Sequence, residues 1–101
     1  MADIKLKDLR YLVAVADTRH FGRAAEQTFV SQPTLSAQLR KLEDYLGVQL
    51  IERSPKRIAL TPTGEATVTR ARQRLAARVE IVARARSSRD PLAGRAKLAL
   101  S

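Results

Sequence analysis

The segment 30–47 constrains this chain most, because it predicts a helix with one buried side and one free side. Its leucines recur at intervals of four, three and four residues, so at about 100° per residue they align on one face. These leucines are Leu35, Leu39, Leu42 and Leu46. Ser31 can cap the first turn, Pro33 is tolerated there, and Gly47 can end the helix in a left-handed conformation. The segment therefore predicts a helix over about 32–46.

The side of this helix opposite the leucines carries small residues near its N-terminus and basic residues further along. Small side chains let a helix enter a groove, while amide and hydroxyl groups can bond the edges of bases. The candidates for contact with DNA bases are Gln32, Pro33, Thr34, Ser36, Ala37 and Gln38. A solvated face is the alternative, since helical hairpins that never touch DNA share this pattern.

Two further helices are predicted before this segment. Apolar residues repeat at three and four over about 6–18, which is typical of an amphipathic helix. The pattern breaks at 18–22, where Phe21 is expected to anchor the connection to the core. A short helix over 23–29 follows, and its two alanines permit close crossing by another helix. Two helices joined by a tight turn, the second capped, predict a helix-turn-helix.

A β-hairpin is predicted next, from short β-rich runs at 49–53 and 57–60 that are separated by Ser54, Pro55 and Lys56. We name this hairpin the wing. Basic residues at its tip can meet phosphates or enter a minor groove, and a solvated tip is the alternative. Together with basic residues on the helices, the predicted phosphate or minor-groove contacts are Lys7, Arg23, Arg40, Lys41, Arg53, Lys56 and Arg57.

A long helix is predicted from Thr61 and Pro62, which form a typical helix opening, to about Ser88. Roughly 27 residues give about 40 Å, which is longer than a domain of this size can cover. The apolar stripe of this helix is expected to pair two copies of the chain in a homodimer. The predicted dimerisation residues are Val68, Ala71, Leu75, Val79 and Val82.

The composition limits the function classes. The net charge of +9 and the isoelectric point near 11.1 fit a phosphate-binding protein, although a membrane surface or a ribosome would attract such a chain equally. With no cysteine and one histidine, His20, we predict no metal, no cofactor and no enzymatic activity. No apolar run approaches the roughly 18 residues of a spanning helix, so we expect a cytoplasmic protein without membrane insertion.

Several motifs in fixed order resemble the N-terminal DNA-binding domain of LysR-type transcriptional regulators. The resemblance covers residues 5–90, and the motifs are Leu9–Ala16, Phe21–Glu26, Val30–Ser36, Lys41–Glu43, Leu46–Arg53 and Leu60–Gly64. Residues 19–25, 31–36 and 41–44 are most similar to the peroxide-sensing OxyR branch of that family. The sensing cysteines of that branch lie in a downstream domain.

The sequence and the resemblance together imply a mainly α fold, a winged helix-turn-helix with a two-stranded wing and a long C-terminal linker helix. The expected division is 1–61 for the DNA-binding domain, 62–88 for the linker helix, and 89–101 for a hinge and the truncated first strand of an effector-binding domain. The resemblance implies binding to double-stranded operator DNA by dimers that form tetramers in the full-length protein, and it supports a DNA contact by Arg53. The operator, the effector and the direction of regulation are not predicted. A basic helical protein-interaction adaptor is the alternative function.

Overall fold

The computed structural model describes residues 4–54 and 57–89 as four helices and two short strands. In chain order they are α1 (Leu6–Thr18), α2 (Phe21–Thr28), α3 (Gln32–Leu46), β1 (Ile51–Arg53), β2 (Ile58–Leu60) and α4 (Pro62–Arg89). The predicted mainly α winged helix-turn-helix is confirmed. Residues 90–101, which hold most of the predicted hinge and all of the predicted strand, lie outside the described residues.

The core lies between α1, α2 and α3, where the leucines of α3 are buried as their spacing predicts. Leu35, Leu39 and Leu42 are buried, and Leu46 is partly buried against the same cluster. They pack with Leu12 and Val15 of α1, both fully buried, and with the two alanines of α2. The buried stripe leaves the opposite side of α3 facing away from the domain.

The ends of α3 are set by the residues that the sequence indicated. The Ser31 hydroxyl oxygen accepts a hydrogen bond from the backbone N–H of Thr34 at 3.2 Å, which satisfies one of the free donors of the first turn. Gly47 ends the helix with φ of +71°. Because glycine has no Cβ, it adopts this left-handed conformation at little cost.

The short helix α2 begins two residues earlier than the sequence predicts. His20 precedes it in extended conformation, and its Nδ1 accepts a hydrogen bond from the backbone N–H of Arg23 at 3.1 Å. This cap lets Phe21 and Gly22 join the first turn, so the predicted break at 18–22 is too long. Phe29, predicted as the last helical residue, instead follows the helix with φ of +57°.

The wing is a two-stranded antiparallel sheet in which Ile51 faces Leu60 and Arg53 faces Ile58. Its first strand is shorter than predicted because Gln49 and Leu50 bond to the start of α4 instead. The carbonyl oxygen of Gln49 accepts from the Thr61 hydroxyl at 2.7 Å, and that of Leu50 accepts from the Thr61 N–H at 3.0 Å. Pro55 and Lys56 at the predicted tip lie outside the described residues.

The long helix α4 packs its first turns against α1 of its own chain. Val68 and Ala71 are buried there, at 5% and 2% exposure. The domain itself covers these two residues, and their predicted part in a dimer interface stays a prediction. Leu75 and Val82 are half-buried and Val79 is exposed, so the rest of the predicted dimerisation stripe is not enclosed.

Two ion pairs on the surface also join α1 to α4. Asp17 pairs with Arg72, and Arg19 pairs with Glu65 at 3.3 Å. Both pairs are half-exposed, so each contributes little to stability. Within the described ranges, no helix combines the length and apolar character needed to cross a membrane.

Candidate nucleic-acid interface

The free side of α3 presents the predicted base-contacting residues to solvent. Gln32, Pro33, Thr34 and Ala37 are exposed, and Ser36 and Gln38 are partly exposed. The buried leucines hold the other side of the helix in the core. The structure thus brings all six predicted residues onto an accessible face, with small or polar side chains along it.

The first turn of this face has a defined hydrogen-bond arrangement. The Ser31 hydroxyl donates to the Thr34 hydroxyl oxygen at 2.8 Å while it accepts from the Thr34 backbone. The Thr34 hydroxyl therefore keeps its own proton for another acceptor. A Cβ added at Gly22 would lie 3.7 Å from the Gln32 Oε1, so the first turn of α2 lies beside Gln32.

The basic residues predicted to meet phosphates fall into three places. Lys7 and Lys41 line one shallow groove with Gln38, between the start of α1 and the middle of α3. Arg40 lines a second groove beside the end of α3, and Arg23 lies exposed in the first turn of α2. Three of these basic residues, Lys7, Arg40 and Lys41, therefore line the two grooves that flank α3.

Arg57 and Lys56 are basic residues predicted at the tip of the wing. Arg57 is exposed but lines a separate hollow with Arg19, Ile58 and Ala59. Lys56 lies outside the described residues. Arg57 is therefore a predicted contact of the wing that has an exposed side chain in the described part of the chain.

Arg53 is mostly enclosed by the domain, where it pairs with Glu43, and its role as a phosphate contact stays a prediction. Its Nη1 donates to the Oε1 of Glu43 at 3.0 Å, and its guanidinium carbon lies 5.6 Å from the centre of the Phe21 ring. Its Nε and Nη2 are buried and have no hydrogen-bond partner among the described residues. Since these nitrogens are enclosed, they cannot reach a phosphate in this conformation.

Glu43 is a residue of the site that the sequence reasoning missed. Its carboxylate is buried, and Oε2 accepts from the backbone N–H groups of Leu50 at 2.8 Å and Ile51 at 3.2 Å. Burial alone raises the pKa of Glu43, but these two bonds and the Arg53 guanidinium outweigh it and hold the pKa below its ordinary value of 4.5. Glu43 therefore stays ionised near neutral pH and ties α3 to the wing.

The remaining ionisable residues suggest no metal centre. Among residues 4–54 and 57–89, no three histidine or acidic side chains lie close enough to share a metal ion. His20 serves as the cap of α2.

Comparison with known proteins shows which family has a similar sequence and fold. Residues 6–65 match the family described as "Bacterial regulatory helix-turn-helix protein, lysR family". The chain is 54% identical over 69 residues to the DNA-binding transcriptional dual regulator OxyR of Escherichia coli K12, a match that covers 68% of this chain and 23% of that protein. The chain therefore spans about a quarter of the length of that relative.

Solved structures agree in fold. A full-length OxyR variant from Pseudomonas aeruginosa is 45% identical with a TM-score of 0.83, over 87% of this chain and 30% of that one. The DNA-binding domain of CbnR in complex with DNA is 36% identical with a TM-score of 0.79, over 86% of this chain and 100% of that one. With the family match over more than half of its length, this chain belongs to the LysR family of bacterial helix-turn-helix regulatory proteins.

Proposed function

We propose that this chain binds double-stranded DNA in a sequence-specific way, as the DNA-binding part of an OxyR-like transcriptional regulator. The observation that carries the proposal is the exposed side of α3, which has small and polar residues along it and basic residues around it. We name α3 the recognition helix. An α-helix fits the major groove of B-DNA, where each base pair presents a distinct set of donors and acceptors. The relatives are transcriptional regulators, and that is not a class of enzyme.

The roles of the residues follow from their chemistry. The Gln32 and Gln38 amides can each bond an adenine through two atoms, and the Thr34 methyl group can contact a thymine methyl. The Ser36 hydroxyl can also bond a base edge, and Pro33 and Ala37 permit close apolar approach. Lys7, Arg23, Arg40, Lys41 and Arg57 would hold phosphates, which fixes register without reading sequence. Lys56 keeps that role as a proposal from the sequence.

Selection of bound duplexes from a random pool tests this function directly. We expect one enriched motif for the chain. A pool without an enriched motif would favour the adaptor alternative over DNA recognition.

Two variants then test the division of roles. Gln32→Ala should lose about 1–3 kcal/mol of discrimination at one base pair. Arg40→Ala should instead weaken binding to all sequences and reduce the slope of log affinity against log salt by about 0.9. Indistinguishable sequence profiles and salt slopes for the two variants would contradict the assignment.

We also propose that the chain acts as a homodimer through the outer part of α4. The helix has 28 residues, or about 42 Å, and the described part of the molecule is 60 Å in its longest dimension. Beyond Ala71 the stripe continues through Leu75, Val79 and Val82. An exposed apolar stripe of this kind is stabilised by pairing with a second copy, and tetramers would form through further contacts of a longer protein.

Responsiveness to peroxide is a further part of the proposal, because relatives with 54% identity are named hydrogen peroxide-inducible genes activators. This chain has no cysteine, so thiol chemistry would require residues beyond these 101. Peroxide added to this chain should therefore leave its DNA affinity unchanged, and a change would contradict the proposal. Binding to bacterial chromosomal DNA would place the chain in the cytoplasm.

A further inference from the structure

The segment from Leu50 to Ile51 is bonded on one side to α3 and on the other side to α4. From α3, the Glu43 carboxylate accepts the N–H groups of both residues, at 2.8 and 3.2 Å. On the side of α4, the Leu50 carbonyl oxygen accepts from the N–H of Thr61 at 3.0 Å. The segment therefore donates hydrogen bonds to α3 and accepts one from Thr61 at the base of α4. These bonds fix its position relative to both helices.

Gly64 brings α4 against this segment with no space between them. A Cβ added at Gly64 would lie 2.0 Å from the Leu50 carbonyl oxygen, a distance that no side chain could keep. The Thr61 hydroxyl accepts from the Gly64 N–H at 2.9 Å and donates to the Gln49 carbonyl at 2.7 Å. The base of α4 is thus joined to the start of β1 by direct backbone contact.

The contacts of Glu43 and Gly64 with the Leu50–Ile51 segment are buried, whereas the bond between Thr61 and Gln49 lies at the surface. Leu50 and Ile51 are fully buried, Gly64 is buried, and Glu43 is 9% exposed. The leucine stripe sets which side of α3 is buried, and the hydrogen bonds, which depend on direction, add a fixed distance and angle between Glu43 and the Leu50–Ile51 segment. The bonds of Glu43 therefore supply the directional part of the connection between α3 and α4.

We propose that Glu43, the Leu50–Ile51 segment, Thr61 and Gly64 form a bridge that, together with the packing of α4 on α1, fixes the angle between the recognition helix and α4. In a dimer joined through α4, this angle sets how far apart the two recognition helices lie, and so which spacing of half-sites the dimer accepts. The inference rests on the dimeric DNA binding proposed above. Glu43 is in this view a positioning residue, which acts through the wing segment and does not touch DNA.

The length of α4 makes this angle matter. A tilt of about 10° at the base of a helix of about 42 Å moves its far end by roughly 7 Å. Base pairs rise by about 3.4 Å each, so that displacement corresponds to roughly two base pairs of spacing. A bridge that allowed such a tilt would let one dimer bind half-sites at several spacings.

The substitution Glu43→Gln tests the bridge. The glutamine amide has one oxygen and one NH₂ group, so it must direct donors either at Arg53 or at the two backbone N–H groups. Affinity of this chain is measured for duplexes whose selected half-sites are separated by zero to five additional base pairs. The wild type should lose at least about tenfold in affinity when half a turn is inserted, because the half-sites then lie on opposite faces. Glu43→Gln should bind duplexes with zero to two additional base pairs within about threefold of one another, because a displacement of roughly 7 Å at the far end of α4 covers about two base pairs.

Matched variants separate this effect from general loss of stability. Glu52→Gln removes one negative charge from an exposed position of β1. Val15→Ala weakens the core away from the bridge. Both should keep the wild-type dependence on spacing. Thr61→Val removes the hydroxyl bonds at the other end of the bridge and should broaden the dependence as Glu43→Gln does, including where Glu43→Gln folds poorly.

Each outcome decides the matter. A wild-type dependence on spacing in both Glu43→Gln and Thr61→Val would overturn the bridge and leave the proposed function intact. The same broadening in Val15→Ala would also overturn it, because loss of stability alone would then suffice. A wild type that binds its motif equally at every spacing would instead remove the dimeric function together with the inference.

Discussion

Glu43 shows how a single carboxylate can hold a winged domain together. It accepts two backbone N–H groups and one guanidinium N–H inside the fold. Replacing it with glutamine leaves at least one buried donor unsatisfied, which costs about 1–3 kcal/mol. We therefore expect Glu43→Gln to lower the free energy of unfolding by that amount at neutral pH, measured by urea denaturation. Glu52→Gln, at an exposed position of β1, should change it by less than about 0.5 kcal/mol.

The pH dependence of this difference follows from the direction of the pKa shift. The folded pKa of Glu43 lies below 4.5, so its ionisation stabilises the fold above that pH. The contribution is lost as the pH falls through the folded pKa and the carboxylate takes up a proton. The gap in unfolding free energy between wild type and Glu43→Gln should therefore narrow below about pH 4.5. A gap that stayed constant into that range would show that the charge of Glu43 is not what stabilises the wing.

The sequence could place Glu43 but not assign its role. On a helix wheel it lies beside the buried leucines, next to Leu42, which predicts partial burial. Its main partners are the backbone N–H groups of Leu50 and Ile51, and no pattern of side chains in the sequence predicts hydrogen bonds to a backbone. The surroundings of Arg53 were not predictable for the same reason. Its charge suggested a phosphate, whereas folding brings Glu43 and Phe21 to it.

The turn between α2 and α3 carries a conformational cost. Phe29 adopts φ of +57° and its side chain is 93% exposed, so it buries almost nothing in return. A side chain in this conformation costs about 1–2 kcal/mol, which glycine avoids. We expect Phe29→Gly to raise the free energy of unfolding by about 0.5–1 kcal/mol, after the larger entropy of glycine in the unfolded chain is subtracted. Thermal denaturation measures the change.

A glycine introduced within α2, which ends one residue before Phe29, provides the comparison for that prediction. Gln27 is exposed within α2, where Gln27→Gly should destabilise the fold by up to about 1 kcal/mol. Destabilisation by Phe29→Gly as well would mean that the Phe29 side chain makes a stabilising contact in the folded protein.

Elements with strong periodicity were predicted closely, and elements defined by tertiary bonds were not. The four leucines and the Ser31 and Gly47 caps predicted α3 at the bounds that the structure shows. The wing strands came out shorter because Gln49 and Leu50 bond to Thr61, a contact that depends on where α4 lies. The early start of α2 depends on an imidazole that accepts a backbone hydrogen bond, and histidine is not among the residues typical of an N-cap.

At the scale of the whole molecule, α4 has two parts that the sequence does not distinguish. Its apolar stripe has the same spacing throughout, so the pattern cannot tell which residues the domain itself covers. The described molecule is 60 Å long and only 24–27 Å across, while α4 extends for about 42 Å. The domain can therefore enclose Val68 and Ala71 but not the outer turns of the helix.

Substitutions at Val79 and Ile81 can distinguish a dimer interface from an apolar surface that is only exposed to solvent. They are 64% and 66% exposed, and both are β-branched. At about 100° per residue, Val79 lies about 20° from Val68 around the helix and Ile81 lies about 140° from it. Val79→Asp should shift the chain to monomer in sedimentation and weaken binding to paired half-sites much more than to one half-site. Ile81→Asp places the same charge off the stripe and should leave both properties near wild type. Equal loss of dimer in the two variants would show that α4 pairs through a different face.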